Sequence, residues 1–208
     1  AVAVSLALNA PNLSAQELEE IIVTASKREQ SVQDIPYNIS VLTGEMLDRL
    51  GISEPQTFLR AVPGLTTFNE GARIGGNNNN YQLRGLNVNN AANEDDNPML
   101  QQPTVTTYLG EVPMYFPMKL FDLNRIEVLR GPQGTLYGAG SVGGTVRFIP
   151  NKPSTEEQTI DLQAKLSSTD HASDSSYDFS VTINSPMSET PAFRGTFGHQ
   201  KLSGFIDA

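Results

Sequence analysis

Hydrophobic and polar residues alternate in three segments of the C-terminal part of the chain. The segments run from Ile160 to Leu166, from Tyr177 to Ile183 and from Phe193 to Phe197. Because successive side chains of a β-strand point to opposite faces, each segment predicts a strand with one apolar and one polar face. Both a soluble antiparallel sheet and the wall of a transmembrane β-barrel need such strands, and alternation alone does not distinguish them.

The middle of the chain has shorter patterns, some typical of strands and others typical of helices. Alternation from Tyr37 to Leu42 predicts a half-buried strand. A helix is predicted from Gly44 to Leu50, because Thr43 is a favourable N-cap and Gly51 a favourable C-cap residue. A second helix is predicted to begin at Ser53. Further strands are predicted over Tyr81–Arg84, Val105–Leu109, Arg125–Leu129 and Thr145–Ile149. This order predicts an α+β domain with a small mixed sheet and short helices.

The N-terminal region has two features. Residues 1–15 are apolar and rich in small residues, as in the back half of a secretory signal peptide, with cleavage expected after Ala15. The absence of an initiating Met leads us to expect a truncated start. The β-branched run from Glu20 to Ala25 then predicts a short extended strand.

Composition narrows the classes of function. A net charge of -9 argues against a nucleic-acid-binding protein, which needs a basic surface. The chain has no cysteine, which excludes disulfides and thiolate chemistry. With only His171 and His199 as histidines, a multi-histidine metal site is not expected, and we predict neither a metal site nor a cofactor. Nothing in the sequence points to an enzyme.

One motif suggests a different function. Gly138 to Gly143 matches the dinucleotide fingerprint G-x-G-x-x-G, which would indicate an oxidoreductase. That fingerprint requires a helix directly after it. The residues that follow, Gly144 to Pro150, have the composition of a strand and end in proline, so we reject nucleotide binding.

The long glycine-punctuated segment gives the most specific signal in the chain. Asp122 to Pro153, DLNRIEVLRGPQGTLYGAGSVGGTVRFIPNKP, resembles the plug signature of TonB-dependent outer-membrane receptors. Upstream segments keep the order of that family. They are EIIVTA, which resembles a TonB box, then DIPYNISVLTGEML, YQLRGL and VTTYLGEVP.

The resemblance implies a plug domain inside a large barrel in the outer membrane of a Gram-negative bacterium. It implies active uptake of a scarce nutrient such as a siderophore, haem, a vitamin or an oligosaccharide. The partners implied are TonB, the small-molecule ligand and outer-membrane lipid. The glycines after Arg130 are expected to shape the backbone, through positive φ angles and close approach of the chain to the barrel wall.

Site residues follow from the same resemblance. TonB is expected to bind Glu20, Ile21, Ile22, Val23, Thr24 and Ala25. Plug–barrel contacts are expected at Arg84 and Arg130, since an arginine suits a bidentate carboxylate partner. Ligand contacts are expected from polar and aromatic loop residues. The candidates are Asn78, Asn79, Asn80, Tyr115 and Phe116.

These elements predict four regions: a signal-peptide remnant (1–15), the TonB box and linker (16–35), the plug domain (36–153) and the first three barrel strands (154–208). Because barrels need about eight strands or more, we expect the barrel to be incomplete in this chain. The main alternative is a soluble, plug-like binding module of the periplasm.

Overall fold

The structure, a computed structural model, describes residues 21–25, 27–36, 38–52, 57–67, 81–86, 103–114, 121–168 and 174–201. The strands are β1 (Ile22–Val23), β2 (Gln30–Ser31), β3 (Ile39–Thr43), β4 (Leu65–Thr67), β5 (Tyr81–Leu83), β6 (Val105–Leu109), β7 (Val112–Met114), β8 (Leu123–Arg130), β9 (Gly144–Pro150), β10 (Thr159–Ser168), β11 (Ser175–Pro186) and β12 (Ala192–Lys201). The α-helices are α1 (Gly44–Arg49) and α2 (Gly134–Tyr137), and 3-10 helices span Val32–Asp34 and Thr57–Ala61.

The central element is a five-stranded sheet with the order β3-β8-β9-β6-β7. Strand β6 pairs with β9 in parallel, and the other neighbours are antiparallel. The sheet is therefore mixed, and the predicted α+β class is confirmed. Among the described strands, β3 lies at one edge of this sheet and pairs with β8 alone, so the N-terminal part of the chain joins the sheet at its edge.

The first face of this sheet packs against helices and a short hairpin. Ile126 and Val128 of β8 and Val146 and Phe148 of β9 belong to this core. The rings of Phe58 and Phe148 meet edge to face, with centroids 5.7 Å apart. The other members come from α1, the second 3-10 helix, the β4–β5 hairpin and the neighbouring strands: Leu42, Leu47, Val62, Leu65, Tyr81, Leu83, Val105 and Met114.

The second face is covered by the N-terminal segment and α2. Its apolar cluster contains Val23, Ala25, Ile35, Leu129 and Tyr137, all buried. Because both faces are covered, the centres of β8 and β9 are buried on every side. Central strands buried on both faces do not show simple alternation.

The helix predictions are confirmed where the structure describes them. Helix α1 begins after Thr43, whose hydroxyl accepts a hydrogen bond from the Met46 backbone N–H at 3.3 Å. It is followed by Gly51 in the left-handed region, with φ of +63°. The predicted start of the second helix at Ser53 lies outside the described residues. Among the residues that the structure describes, no helix is both long and apolar enough to cross a lipid bilayer.

The glycine-rich segment ends in a strand, as the sequence predicted. Gly144 begins β9 with φ of +153°, and a Cβ built on it would lie 2.5 Å from Leu83 Cδ1 and closer still to the Leu129 carbonyl oxygen. Glycine is therefore required here for both conformation and space. The close approach that we expected to the barrel wall is, at Gly144, an approach to strands of the plug itself.

Strands β10, β11 and β12 form a separate antiparallel sheet in chain order. On one face, Leu162, Leu166 and Phe197 are 69%, 82% and 70% exposed. On the other face, Thr182 and Asn184 are buried. A soluble protein buries the apolar face, so this sheet has the polarity of a wall that contacts lipid on its outer side.

Candidate functional site

The predicted TonB box lies against the second face of the central sheet. Strand β1 pairs with β2 through two residue pairs, and the Val32 backbone N–H donates to the Ile21 carbonyl at 3.0 Å. Val23 and Ala25 are fully buried, whereas Ile22 is 52% exposed. Glu20, the first residue of the predicted box, lies outside the described residues.

Polar contacts fix Thr24 and Ala25 onto the sheet. The Thr24 backbone N–H donates to Glu127 Oε1 at 3.0 Å, and its hydroxyl accepts from Arg147 Nη1 at the same distance. The Tyr137 hydroxyl donates to the Ala25 carbonyl at 2.6 Å. These bonds join the N-terminal segment to β8, β9 and α2, across more than a hundred residues of chain.

Glu127 and Arg147 form the charged centre of this contact. Their side chains are 0% and 1% exposed, and Arg147 Nη1 lies 2.7 Å from Glu127 Oε2. Arg125 Nε also donates to Glu127, and Arg147 Nη2 also binds Glu111 Oε1 at 2.5 Å. The Arg147 guanidinium lies 5.6 Å from the centroid of the Tyr137 ring. Each buried charge thus has an opposite charge, the condition under which burial is tolerated.

The two predicted plug arginines converge on one place. Arg84 follows β5 with φ of +58°, and a Cβ built on Gly131 would lie 3.8 Å from Arg84 Nη1. Arg84 therefore reaches the residue next to Arg130. Arg130 Nη2 donates to Ser40 Oγ at 2.9 Å, while its buried Nε has no hydrogen-bond partner among the described residues.

An ion pair that was not predicted joins the plug to the sheet of β10, β11 and β12, called the outer sheet below. Arg194 of β12 binds both carboxylate oxygens of Asp122, each at 2.6 Å. Asp122 has φ of +57°, and the Asn151 side chain donates to it at 2.7 Å. Next to this pair, the Phe121 ring lies against Gly198, where an added Cβ would overlap it.

The ligand-binding candidates Asn78, Asn79, Asn80, Tyr115 and Phe116 lie outside the described residues. The structure therefore does not test them, and they remain predictions.

Sequence reasoning missed the Glu127–Arg147 pair and the Asp122–Arg194 pair. The first had a signal: Glu127 is flanked by the apolar residues Ile126 and Val128 in β8, and Arg147 is the one charged residue of β9. Such a charge in a buried strand needs a partner. The second pair had none, because Asp122 and Arg194 are far apart in sequence and each resembles an ordinary strand-end charge.

Comparison with known proteins agrees with this geometry. The family described as "TonB-dependent Receptor Plug Domain" matches residues 31–145, which is more than half of the chain. The chain belongs to the TonB-dependent receptor family. The resemblance inferred from the glycine-rich signature is thus confirmed, and the family places the chain in the outer membrane of a Gram-negative bacterium.

Relatives and solved structures cover the same region. The Ferripyoverdine receptor of Pseudomonas aeruginosa is 27% identical over 191 residues, 89% of this chain and 21% of the relative. The Vitamin B12 transporter BtuB of Vibrio vulnificus is 27% identical over 165 residues, 77% of this chain and 25% of the relative. The chain therefore spans only about a fifth to a quarter of these receptors.

A crystal structure shows the same fold. The ferripyoverdine receptor of the Pseudomonas aeruginosa outer membrane, bound to ferripyoverdine, matches with a TM-score of 0.63 at 21% identity. The match covers 86% of this chain and 22% of that one. At this identity the likeness is one of fold.

Proposed function

We propose that this chain is the plug and first wall strands of a receptor that takes up a scarce nutrient through the outer membrane, powered by TonB. In this proposal residues 16–35 are the TonB box and linker, 36–153 the plug and 154–208 the wall. The observation that carries it is the position of Ile21–Ala25, an edge segment attached to a plug-domain fold.

The edge position suits binding of TonB by strand addition. Strand β1 pairs with β2 on one side, and the described residues include no strand that pairs with its other side. An extended segment with a free edge can join the sheet of a partner through main-chain hydrogen bonds. The half-exposed Ile22 side chain would then contact TonB from the outset.

The topology suggests how a pull on this segment would open the plug. Tension from the N-terminus would act first on the two-pair β1–β2 ladder and then on β3, the edge strand of the five-stranded sheet. Strands β8, β9 and β6 would keep their own pairing. The contact between Asp122 and Arg194 lies beyond β3 along the chain and would keep the rest of the plug against the wall.

Arg84 and Arg130 are proposed to bind carboxylates of the barrel wall. Two guanidinium groups lie at one place, and one has a buried donor that finds no partner in the described part of the chain, which favours an anionic acceptor there. Such pairs break more readily in a wet interface than in a dry one.

The ligand is proposed to be a siderophore, haem, a vitamin or an oligosaccharide. One relative is named for ferripyoverdine and another for vitamin B12, so the family leaves the choice among these classes open. Asn78, Asn79, Asn80, Tyr115 and Phe116 remain the proposed contacts, because amide and aromatic groups suit such ligands.

Ile22→Pro in the full-length receptor tests the proposal. Proline removes a backbone donor from the segment that would pair with TonB, so uptake should be lost while ligand still binds to the cells. Ile22→Val is the matched control: it keeps the backbone donor and a β-branched apolar side chain at the half-exposed position, and uptake should stay near the parental rate. Uptake by Ile22→Pro at the parental rate would show that TonB does not depend on this strand.

A further inference from the structure

The attachment of the N-terminal segment to the plug combines a short strand ladder, two small apolar side chains and hydrogen bonds to distant residues of the sheet and α2. The β1–β2 ladder has two residue pairs, and the apolar contacts come from the small side chains of Val23 and Ala25. A ladder this short is a weak connection by itself. The hydrogen bonds to Thr24 and Ala25 therefore contribute a large share of what keeps the segment in place.

We propose that Glu127, Arg147 and Tyr137 form a clasp that holds Ile21–Ala25 on the plug and sets how readily this segment is released to TonB. The proposal rests on the proposed function, because it assumes that TonB binds this segment. It adds a regulatory contact within the plug, made by residues of β8, β9 and α2.

The clasp recognises the segment through both backbone and side chain. Glu127 accepts from the Thr24 N–H at 3.0 Å, and Tyr137 donates to the Ala25 carbonyl at 2.6 Å. Arg147 donates to the Thr24 hydroxyl at 3.0 Å. Two of these three bonds involve an ionised group, and such bonds are stronger than neutral ones. The geometry therefore favours a side chain with a hydroxyl at position 24.

The charge arrangement allows the segment to leave and return. When Thr24 departs, Arg147 still binds Glu127 at 2.7 Å and Glu111 at 2.5 Å. No buried charge loses its opposite charge, so release does not carry the large penalty of an unpaired ion. Water can replace the bonds to Thr24 and Ala25 once the segment is away. The clasp is thus suited to reversible release.

Lys27 extends the contact toward the surface. Its Nζ lies 3.3 Å from Glu111 Oε2, but both side chains are about half exposed. A pair this exposed contributes little. The clasp therefore depends on the buried contacts, and substitutions at Thr24 and Tyr137 are the direct way to weaken it.

The test measures release of the segment from the full-length receptor in the absence of TonB. Val23 is fully buried, so Val23→Cys introduces a thiol at this position that reacts with a maleimide only when the segment leaves the plug. Any cysteine elsewhere in the full-length receptor is replaced by serine beforehand. Labelling rates are compared in this background with Thr24→Val, Tyr137→Phe or Thr106→Val. The urea midpoint for plug unfolding is measured on the same proteins.

Thr106→Val is the matched control. The Thr106 hydroxyl bonds to Ser141 and Thr145 inside the plug and does not touch the segment. Labelling should rise about fivefold with Tyr137→Phe and roughly tenfold with Thr24→Val, from the typical strength of neutral and charged hydrogen bonds. The control should label at the parental rate, and Thr24→Val should not move the urea midpoint.

Unchanged labelling in both clasp variants would overturn the proposal. An equal rise in Thr106→Val would also overturn it, because it would reveal general loosening of the plug. If the clasp variants label faster but Ile22→Pro still transports, the clasp stands and the assignment of the TonB-binding strand fails. The two proposals are therefore tested separately.

Discussion

The outer sheet provides a sharp physical test in Leu162→Lys. Leu162 lies near the middle of β10, in one row with Val181 and Phe197, and its side chain is 69% exposed. Its neighbour Gln163 points to the opposite face, beside Ser180. Leu162→Lys therefore places a charge on the outer face, and Gln163→Lys places the same charge on the face toward the plug.

The two environments predict very different costs for Leu162→Lys. On a water-exposed surface, such a substitution changes stability by less than about 0.5 kcal/mol. On the lipid face near the bilayer midplane, a lysine costs about 2–4 kcal/mol. At 1.36 kcal/mol per factor of ten, this is a loss of roughly 30-fold to 900-fold in the equilibrium for insertion.

The assay is the amount of folded receptor in outer-membrane fractions, detected by the change in gel mobility that occurs on heating a folded barrel. Leu162→Lys should strongly reduce the folded form, and Gln163→Lys should leave most of it. Equal amounts of folded receptor in Leu162→Lys and the parent would refute the assignment of this face to lipid.

Two further predictions concern the plug and its contact with the wall. Gly144→Ala should lower plug stability by about 2–5 kcal/mol, through strain and overlap with Leu129 and Leu83. Gly134→Ala, with open space around its Cβ, should be neutral or slightly stabilising. The two variants are compared by the urea midpoint at which the plug becomes sensitive to protease. A double-mutant cycle with Asp122→Asn and Arg194→Ala on the same midpoint should give a coupling free energy of about 1–3 kcal/mol between the two side chains, because both are mostly buried. Additive effects would show that the pair does not join plug and wall.

Local signals in the sequence predicted most of the elements. Thr43 and Gly51 mark the ends of α1 because capping depends on neighbouring residues alone. The three C-terminal strands follow from strict alternation, and β10 begins at Thr159, one residue before the alternating segment predicted from Ile160. The strand after Gly143 was predictable because Gly144 and Pro150 are unfavourable in a helix.

Tertiary relations could not be predicted in this way. Whether the apolar face of β10–β12 meets lipid or a protein core depends on what lies against the polar face, and alternation is the same in both cases. The burial of Glu127 and Arg147 depends on Ile21–Ala25 folding back across the sheet. The segment was predicted as a strand, but its attachment through Thr24 to residues more than a hundred positions away has no local signature.

The most direct test of the central claim is a cross-link between the N-terminal segment and TonB. Ile22→Cys, on a half-exposed side chain of β1, is paired in cells with a single cysteine in TonB. Val112→Cys is the control, because Val112 is 66% exposed on another edge strand of the plug. We predict a disulfide-linked product with Ile22→Cys that increases when ligand is added, and none with Val112→Cys. No product with Ile22→Cys, or equal products from the two variants, would contradict the account.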